Sequence, residues 1–246
     1  MIDLHTHSTA SDGTFTPAAL AAEAHKAGLS LFALTDHDTV AGVAEAQRAG
    51  AQYGLRVIPG IEISVTWQPG ELHLLGLGID PENDTLLELM RYAQQKRHQR
   101  NDRIMEKFNK AGIPINPDKL AALAGGKVIG RPHFAKYLVQ EHKAGSIQDA
   151  FQKYLAKGRP FYIEKECLTL AESIDAIKAA HGVPVLAHPM SLYLSWGKLP
   201  ETIAQFKEQG LVGLEAWHSG ARYGECVRLQ ALAESLGLIV TAGSDF

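Results

Sequence analysis

Cysteine is scarce in this chain: two residues, Cys167 and Cys226, in 246, far apart and outside any CxxC pair. That excludes a disulfide framework and a thiolate-bound zinc, and it fits a reducing cytosol. Long apolar runs are missing as well. No stretch reaches the ~20 residues that a membrane-spanning helix needs, and no charged segment followed by an apolar one opens the chain. The expected location is cytoplasmic, with no membrane partner and no obligate protein partner. Nor is there a large excess of either charge: 24 Lys+Arg against 27 Asp+Glu leave −3. Taken whole, that balance argues against a general nucleic-acid or membrane binder. There is no repeat of 20–50 residues and no low-complexity segment. What is present is 46% apolar, enough for a substantial core in one large domain or a domain with an insertion.

The apolar segments are short and β-branched, and most alternate with helical patterns. Strands are expected at 2–7, 31–36, 55–65, 72–79, 183–188, 212–218 and 238–244. Helices lie between most of them: Thr16-Pro17 opens one that Gly28 closes, and others cover about 40–53, 169–180, 201–209 and 222–236. Strand–helix alternation with short joins indicates parallel βα units, and seven strands suggest an α/β barrel that is closed or nearly so. Between about 96 and 165 the alternation stops. A long amphipathic helix over 84–111 runs into that stretch, and shorter ones follow at 117–124, 132–141 and 147–156. The expected domains are therefore a barrel over 1–95 and 166–246, with a helical insertion at 96–165. Charge divides along the same line. The insertion holds 15 Lys+Arg and 6 Asp+Glu, the remainder 9 and 21. An acidic barrel suits cations, and a basic substrate lid suits phosphate. The basic face around Arg97, Arg100 and Arg103 is equally compatible with a solvated helix surface.

Chemistry gathers at the strand ends. In "DLHTHSTASDG" (residues 3–13), His5 and His7 are two apart and share a strand face, with Asp12 in the loop beyond. A buried, hydrogen-bonded histidine pair would read the same way. The other ends, however, repeat the theme: "ALTDHDT" supplies Asp36, His37 and Asp38, "GIEIS" supplies Glu62, and "LAHP" supplies His188. "EAWHS" supplies Glu215 and His218, and "AGSDF" supplies Asp245. The fourth strand, "ELHLLG", carries His73 early rather than late. Six of the 11 histidines sit on these strands. The C-terminal strand ends of a βα barrel form its active-site face. Charge gathered there is costly unless paired or metal-bound. Imidazole and carboxylate without thiolate suit Mn, Fe(II) or Zn. Two ions about 3.5–4 Å apart can hold a hydroxide nucleophile and phosphoryl oxygens, with Glu62 placed to bridge them.

These motifs, in this order and with the terminal "GSDF", resemble the PHP (polymerase and histidinol phosphatase) family of metal-dependent phosphoesterases over essentially the whole chain. Within it the chain looks most like a branch with a helical insertion containing "IGRPHFAKYLV" and "KGRPFY". That resemblance implies a distorted seven-stranded (β/α)7 barrel and two or three divalent ions per chain, Mn foremost, with Fe or Zn as alternatives. Carried over, it assigns His5, His7, Glu62 and Asp245 to one metal. Glu62 would bridge to a second, shared by His73 and His188, and Asp12 and His37 would join a final histidine in a third cluster. The family's last motif is Asp-x-His; this sequence stops at Phe246, one residue before that histidine, so truncation at the C-terminus is expected. The implied activity is removal of the 3′-phosphate from nucleoside 3′,5′-bisphosphates, with His5, His7, Glu62, His188 and Asp245 as catalytic residues. The alternative is a 5′-3′ exonuclease on short RNA or DNA oligonucleotides.

Other residues are weaker candidates. Arg131 and His133 lie at a helix start in "GRPH", and Lys157 and Arg159 lie in "AKGRPFY"; all four could touch substrate phosphate. His133 is equally compatible with a capping role. His218 points toward the site face and could lie behind the metals or serve the leaving group. Tyr193 and Trp196 could stack on a base but fit packing better. Asp36 and Asp38 could orient His37. "AGGKVIG" lacks P-loop spacing and reads as a flexible loop. His25, His98, His142 and His181 read as surface residues. Amide or lactone hydrolysis would not need the basic insertion, and a non-catalytic module would be expected to have eroded ligands.

Overall fold

The computed structural model describes residues 1–124, 129–164 and 168–246. Residues 125–128 of the glycine-rich "AGGKVIG" and Cys167 lie outside the described residues. The chain divides into two compact units, Met1–Arg91 with Cys167–Phe246, and Tyr92–Glu166.

The first unit holds all seven strands: β1 (Ile2–Thr6), β2 (Leu31–Leu34), β3 (Arg56–Val65), β4 (Leu72–Leu77), β5 (Val183–Leu186), β6 (Gly213–His218) and β7 (Ile239–Gly243). They pair in sequence order. β1 and β7 meet through the Asp245 N–H donating to the His5 carbonyl (2.9 Å) and the His7 N–H donating to the Phe246 carbonyl (2.7 Å). The barrel is thus nearly closed. Around it lie α1 (Pro17–Lys26), α2 (Val43–Gln52), α7 (Leu170–Ala179), α8 (Leu199–Glu208) and α9 (Tyr223–Ser235). α7 shows how local sequence sets such an element. Thr169 caps it, its hydroxyl accepting from Glu172 N–H while the Glu172 carboxylate reaches back to Thr169 N–H.

The pairing departs from the all-parallel expectation. β3–β4 and β4–β5 are antiparallel, whereas the remaining pairs are parallel. The reason is the short join: residues 66–71 leave no room for the dozen or more residues of a crossover. Strand alternation then sorts the layers. Phe32 and Leu34 of β2 pack under α1 and α2 with Leu20, Ala21 and Ala46. Ala33 between them meets Leu75, Leu77, Val185 and Ala187. Several strands end one or two residues before the sequence suggests; β5 stops at Leu186, and His188 beyond it takes a positive φ of 25°, which breaks the extended chain.

The second unit is built by most of α3 (Asp84–Lys110), by α4 (Pro117–Leu123), α5 (Arg131–Gln140) and α6 (Ile147–Ala150), and by a π-helical turn at Phe151–Leu155. The turn replaces the continuous helix expected over 147–156. Ile104 and Phe108 of α3 pack with Leu120, Phe134, Leu138 and Phe161 in its own core. Arg100 is buried, Arg97 half-buried and Arg103 exposed, so the three do not form one solvated face. Among the described residues no helix is long and apolar enough to cross a membrane.

Candidate metal centre

The antiparallel turn of β4 resolves the one histidine that looked misplaced. Because β4 runs against its neighbours, its beginning lies at the same end as the C-terminal ends of the parallel strands, and His73 faces Glu62. β1 brings in His5 and then His7. His37 follows β2 and forms an isolated parallel bridge with Glu62. His188 follows β5, and Asp245 follows β7.

Glu62 is the hub, with 1% exposure. Its Oε1 lies 2.9 Å from His73 Nδ1, 3.1 Å from His188 Nε2 and 3.4 Å from His5 Nε2. Its Oε2 lies 2.9 Å from His37 Nδ1 and 3.3 Å from His7 Nε2. The two oxygens thus face two different sets of imidazoles, the arrangement a bridging carboxylate requires. Asp245 Oδ1 sits 3.0 Å from His7 Nε2 and 3.4 Å from His5 Nε2. Among the described residues, three groups have donor atoms mutually within 4.8 Å: His5, His7 and Asp245; His5, Glu62 and His188; and His7, His37 and Glu62. Asp12 stands further off, half-exposed, 3.8 Å from both His7 Nδ1 and His37 Nε2.

Such crowding shifts the carboxylates Glu62 and Asp245 and the imidazoles of His5, His7 and His188. Burial alone would drive Glu62 toward its neutral form, but the positive potential of His37, His73 and His5 outweighs it and holds its pKa well below the usual range. Burial likewise opposes charge on Asp245, yet hydrogen bonds from His218 and His7 leave its pKa lowered. The imidazoles move the other way. Burial lowers His5, His7 and His188, and the carboxylates more than restore them: Glu62 with Glu215 for His5, Asp245 with Glu62 for His7, and Glu62 for His188.

The donor set fits divalent metal. His7 Nδ1, His37 Nδ1 and Glu62 Oε2 are buried without a hydrogen-bond partner, although His37 Nδ1 and Glu62 Oε2 are 2.9 Å apart. His37 Nδ1 and Glu62 Oε2, close together without hydrogen-bond alignment, are a donor pair that a shared cation would satisfy. The all-N/O set suits Mn, Fe(II) or Zn.

Several supports were not assigned by sequence reasoning. Asp3, two residues before His5, accepts from the Ser244 N–H (3.0 Å) and hydroxyl (2.6 Å), tying down the segment that carries Asp245. Ser191 Oγ meets His188 Nδ1 at 2.9 Å. Glu215, seen in sequence only as a strand-end acid, is fully buried behind His5. Asp36 does not face His37: its oxygens accept from the Ser8 N–H (2.7 Å), the Ser8 hydroxyl (2.7 Å) and the Ser11 hydroxyl (2.6 Å). Asp38 Oδ1 accepts from the Ser64 N–H (3.3 Å).

A cavity of about 400 Å³ opens at the centre, lined by Glu62, His73, His188, His218 and Asp245, with Met190, Ala221 and Leu229 also in its wall. Tyr193 lines it and is 75% exposed, whereas Trp196 lies under the Arg228 guanidinium, 3.9 Å away. Arg131, His133, Lys157 and Arg159 belong to the second unit. There, Arg131 lies over the Tyr162 ring at 5.5 Å. His133 is buried, and its Nδ1 accepts from the Gly130 N–H at 3.0 Å, a capping contact. Lys157 and Arg159 are exposed, as are His25, His98, His142 and His181.

A nearly closed α/β barrel with imidazoles and carboxylates converging at one end defines a class, the metal-dependent barrel hydrolases. The PHP domain model matches residues 3–166. A 5′-3′ exoribonuclease Rnm of Escherichia coli is 39% identical over 246 residues, covering 99% of this chain and 84% of that protein. A 3′,5′-nucleoside bisphosphate phosphatase of Chromobacterium violaceum is 32% identical over 246 residues, covering 100% and 86%. A solved structure from Bifidobacterium adolescentis, described as a metal-dependent phosphoesterase, superposes with a TM-score of 0.88 at 34% identity, covering 100% of this chain and 87% of that one. The chain belongs to the PHP domain family. It is an enzyme of the metal-dependent phosphoesterase kind.

Proposed function

We propose that this enzyme removes the 3′-phosphate of nucleoside 3′,5′-bisphosphates, giving a 5′-mononucleotide and orthophosphate. The observation that supports this best is the Glu62-centred cluster facing a cavity of about 400 Å³ whose wall includes apolar residues. That volume lies within the ~300–1,000 Å³ typical of small-molecule sites, and the apolar residues in its wall suit a nucleoside. The Chromobacterium violaceum relative carries that activity in its name. A 5′-3′ exonuclease is the second reading, favoured by the higher identity, 39%, to the Escherichia coli exoribonuclease.

The proposed ligands are His5, His7, Glu62 and Asp245 for one ion, Glu62, His73 and His188 for a second, and Asp12 with His37 for a third. Mn is proposed as the ion, with Fe or Zn as alternatives. Divalent ions bound there supply Lewis acidity, lowering the pKa of a bound water and neutralising charge on the phosphoryl oxygens. The chain's own residues do the rest. Glu62 and Asp245 place negative charge where cations must collect. His218 Nδ1 accepts from the Gly220 N–H at 3.0 Å, so in the neutral ring the proton resides on Nε2. That N–H faces Asp245 Oδ2 at 3.5 Å, where it helps to hold the carboxylate in place. Arg131, His133, Lys157 and Arg159 are proposed to contribute affinity for phosphate.

The test offers Mn-loaded enzyme adenosine 3′,5′-bisphosphate in one tube and a short 5′-phosphorylated RNA in another, with an Asp245→Asn control. Orthophosphate from the first, abolished in the control, is expected. Mononucleotides from the RNA without orthophosphate from the bisphosphate would replace this reading with the exonuclease.

A further inference from the structure

One buried carboxylate at the centre has no role in the ligand set above. Glu215 is 0% exposed and sits on β6, behind His5. Its Oε1 lies 3.1 Å from His5 Nδ1, and its Oε2 accepts the backbone N–H of His188 at 2.6 Å. It therefore touches two members of a single donor group, His5 and His188, which converge on Glu62.

Each contact does something specific. A carboxylate can only accept, so at His5 it requires the proton on Nδ1 and leaves the Nε2 lone pair free. That Nε2 faces His7 Nε2 (3.1 Å), Glu62 Oε1 (3.4 Å) and Asp245 Oδ1 (3.4 Å). At His188 the contact is to the backbone. His188 has φ +25° and ψ +64°, a conformation that β-carbon sterics disfavour and that needs an outside restraint to persist. The short bond to Oε2 provides one, and the imidazole then points back at Glu62.

The surroundings are shaped around this carboxylate. The β6–β7 ladder slips by one residue just after Glu215, between Glu215/Thr241 and Trp217/Ala242. Such bulges re-aim side chains. Facing it, Gly243 has no side chain, and a Cβ there would lie 2.4 Å from Glu215 Oε1 and 2.3 Å from His5 Cβ. Only glycine lets β7 pass this close.

We propose that Glu215 is the positioning residue of the metal centre, fixing the tautomer of His5 and the strained backbone of His188 together so that they present nitrogen to the two ions on either side of Glu62. It touches neither substrate nor metal, and the proposal does not depend on which phosphoester is cleaved.

Glu215→Gln keeps the size but can accept at only one of the two contacts, because its amide nitrogen opposes a donor at the other. Mn²⁺ affinity and stoichiometry would be measured by titration of metal-stripped protein, the Co²⁺ absorption spectrum would be recorded, and the fold would be followed by circular dichroism. The expected result is a native fold, a roughly 10–100-fold weaker Mn²⁺ affinity, an altered Co²⁺ spectrum, and recovery of phosphoester hydrolysis at high Mn²⁺. A folded Gln variant with parent affinity and an unchanged Co²⁺ spectrum would overturn the proposal. Should the Gln variant not fold, Glu215→Asp retains charge but shortens the reach, and a similar loss of affinity is expected. Parent affinity in that variant, or failure of both to fold even with Mn²⁺ present, would place Glu215 in barrel stability alone.

Discussion

Glu62 shows how little freedom a residue has once burial and charge are both fixed. With 1% exposure it cannot be solvated by water, and its two oxygens face five imidazoles. Glu62→Gln preserves shape and removes the charge that both sides of the centre share. The expected outcome is loss of at least one bound Mn²⁺ per chain and a fall in phosphoester hydrolysis of about 10³-fold, the upper range for removing one electrostatic stabiliser. Metal analysis beside a phosphate-release assay checks it; undiminished metal content would mean Glu62 is not a shared ligand. At this scale much was legible. The two-residue spacing of His5 and His7 brings their Nε2 atoms to 3.1 Å. What the sequence hides is direction. Asp36 and His37 are adjacent, yet one turns into the loop and the other to the centre. The positive φ of His188 follows from a tertiary bond to Glu215 that no local pattern encodes.

At the scale of elements, the loop after β1 is the part most dependent on a single side chain. Residues 8–13 carry Asp12 and would otherwise be free to move. Asp36 holds them through three short bonds, from the Ser8 N–H, the Ser8 hydroxyl and the Ser11 hydroxyl. Gly13 closes the turn where a Cβ would lie 2.4 Å from the His7 carbonyl oxygen. Asp36→Ala leaves the buried Ser8 N–H without its acceptor, and unsatisfied groups of this kind cost about 1–3 kcal/mol each. The expected loss is about 3 kcal/mol in urea unfolding, together with weaker binding of the ion nearest Asp12. A change below about 0.5 kcal/mol, the scatter of ordinary surface substitutions, would show that the loop holds itself. All seven strands were readable from β-branched runs between turn signals. The antiparallel direction of β4, and with it the placement of His73, follows from the shortness of the 66–71 join rather than from any apolar pattern. The π-helical turn at Phe151–Leu155 has no comparable local signal.

At the scale of the whole molecule, the centre links stability to both protons and metal. In metal-free protein His5, His7 and His188 have pKa values raised above the ordinary 6.5. Their contribution is therefore complete below pH 6.5 and lost as pH climbs through the raised values. Glu62 and Asp245 lie below their ordinary 4.5 and 3.8. Their contribution is complete above those values and lost only as pH falls through the lowered ones. Metal-free stability should thus be greatest between about pH 4.5 and 6.5 and should decline above it. Mn²⁺ reverses the upper limb, because its ligands are the deprotonated imidazoles and its binding grows as protons leave. At an Mn²⁺ concentration 100 times its dissociation constant, each site adds about 2.7 kcal/mol. For a chain of this size that raises Tm by about 5–10 °C. Thermal unfolding at pH 5, 6, 7 and 8, with chelator or with Mn²⁺, should show two curves close together at pH 5 that separate steadily toward pH 8. The acidic balance of the barrel, 9 Lys+Arg against 21 Asp+Glu outside residues 96–165, favours cation capture but is screened by salt. The separation should therefore survive 0.5 M NaCl if it arises at the buried histidines. A gap that stays constant with pH, or that collapses in salt, would place the metal's stabilising effect on the surface charge rather than at Glu62.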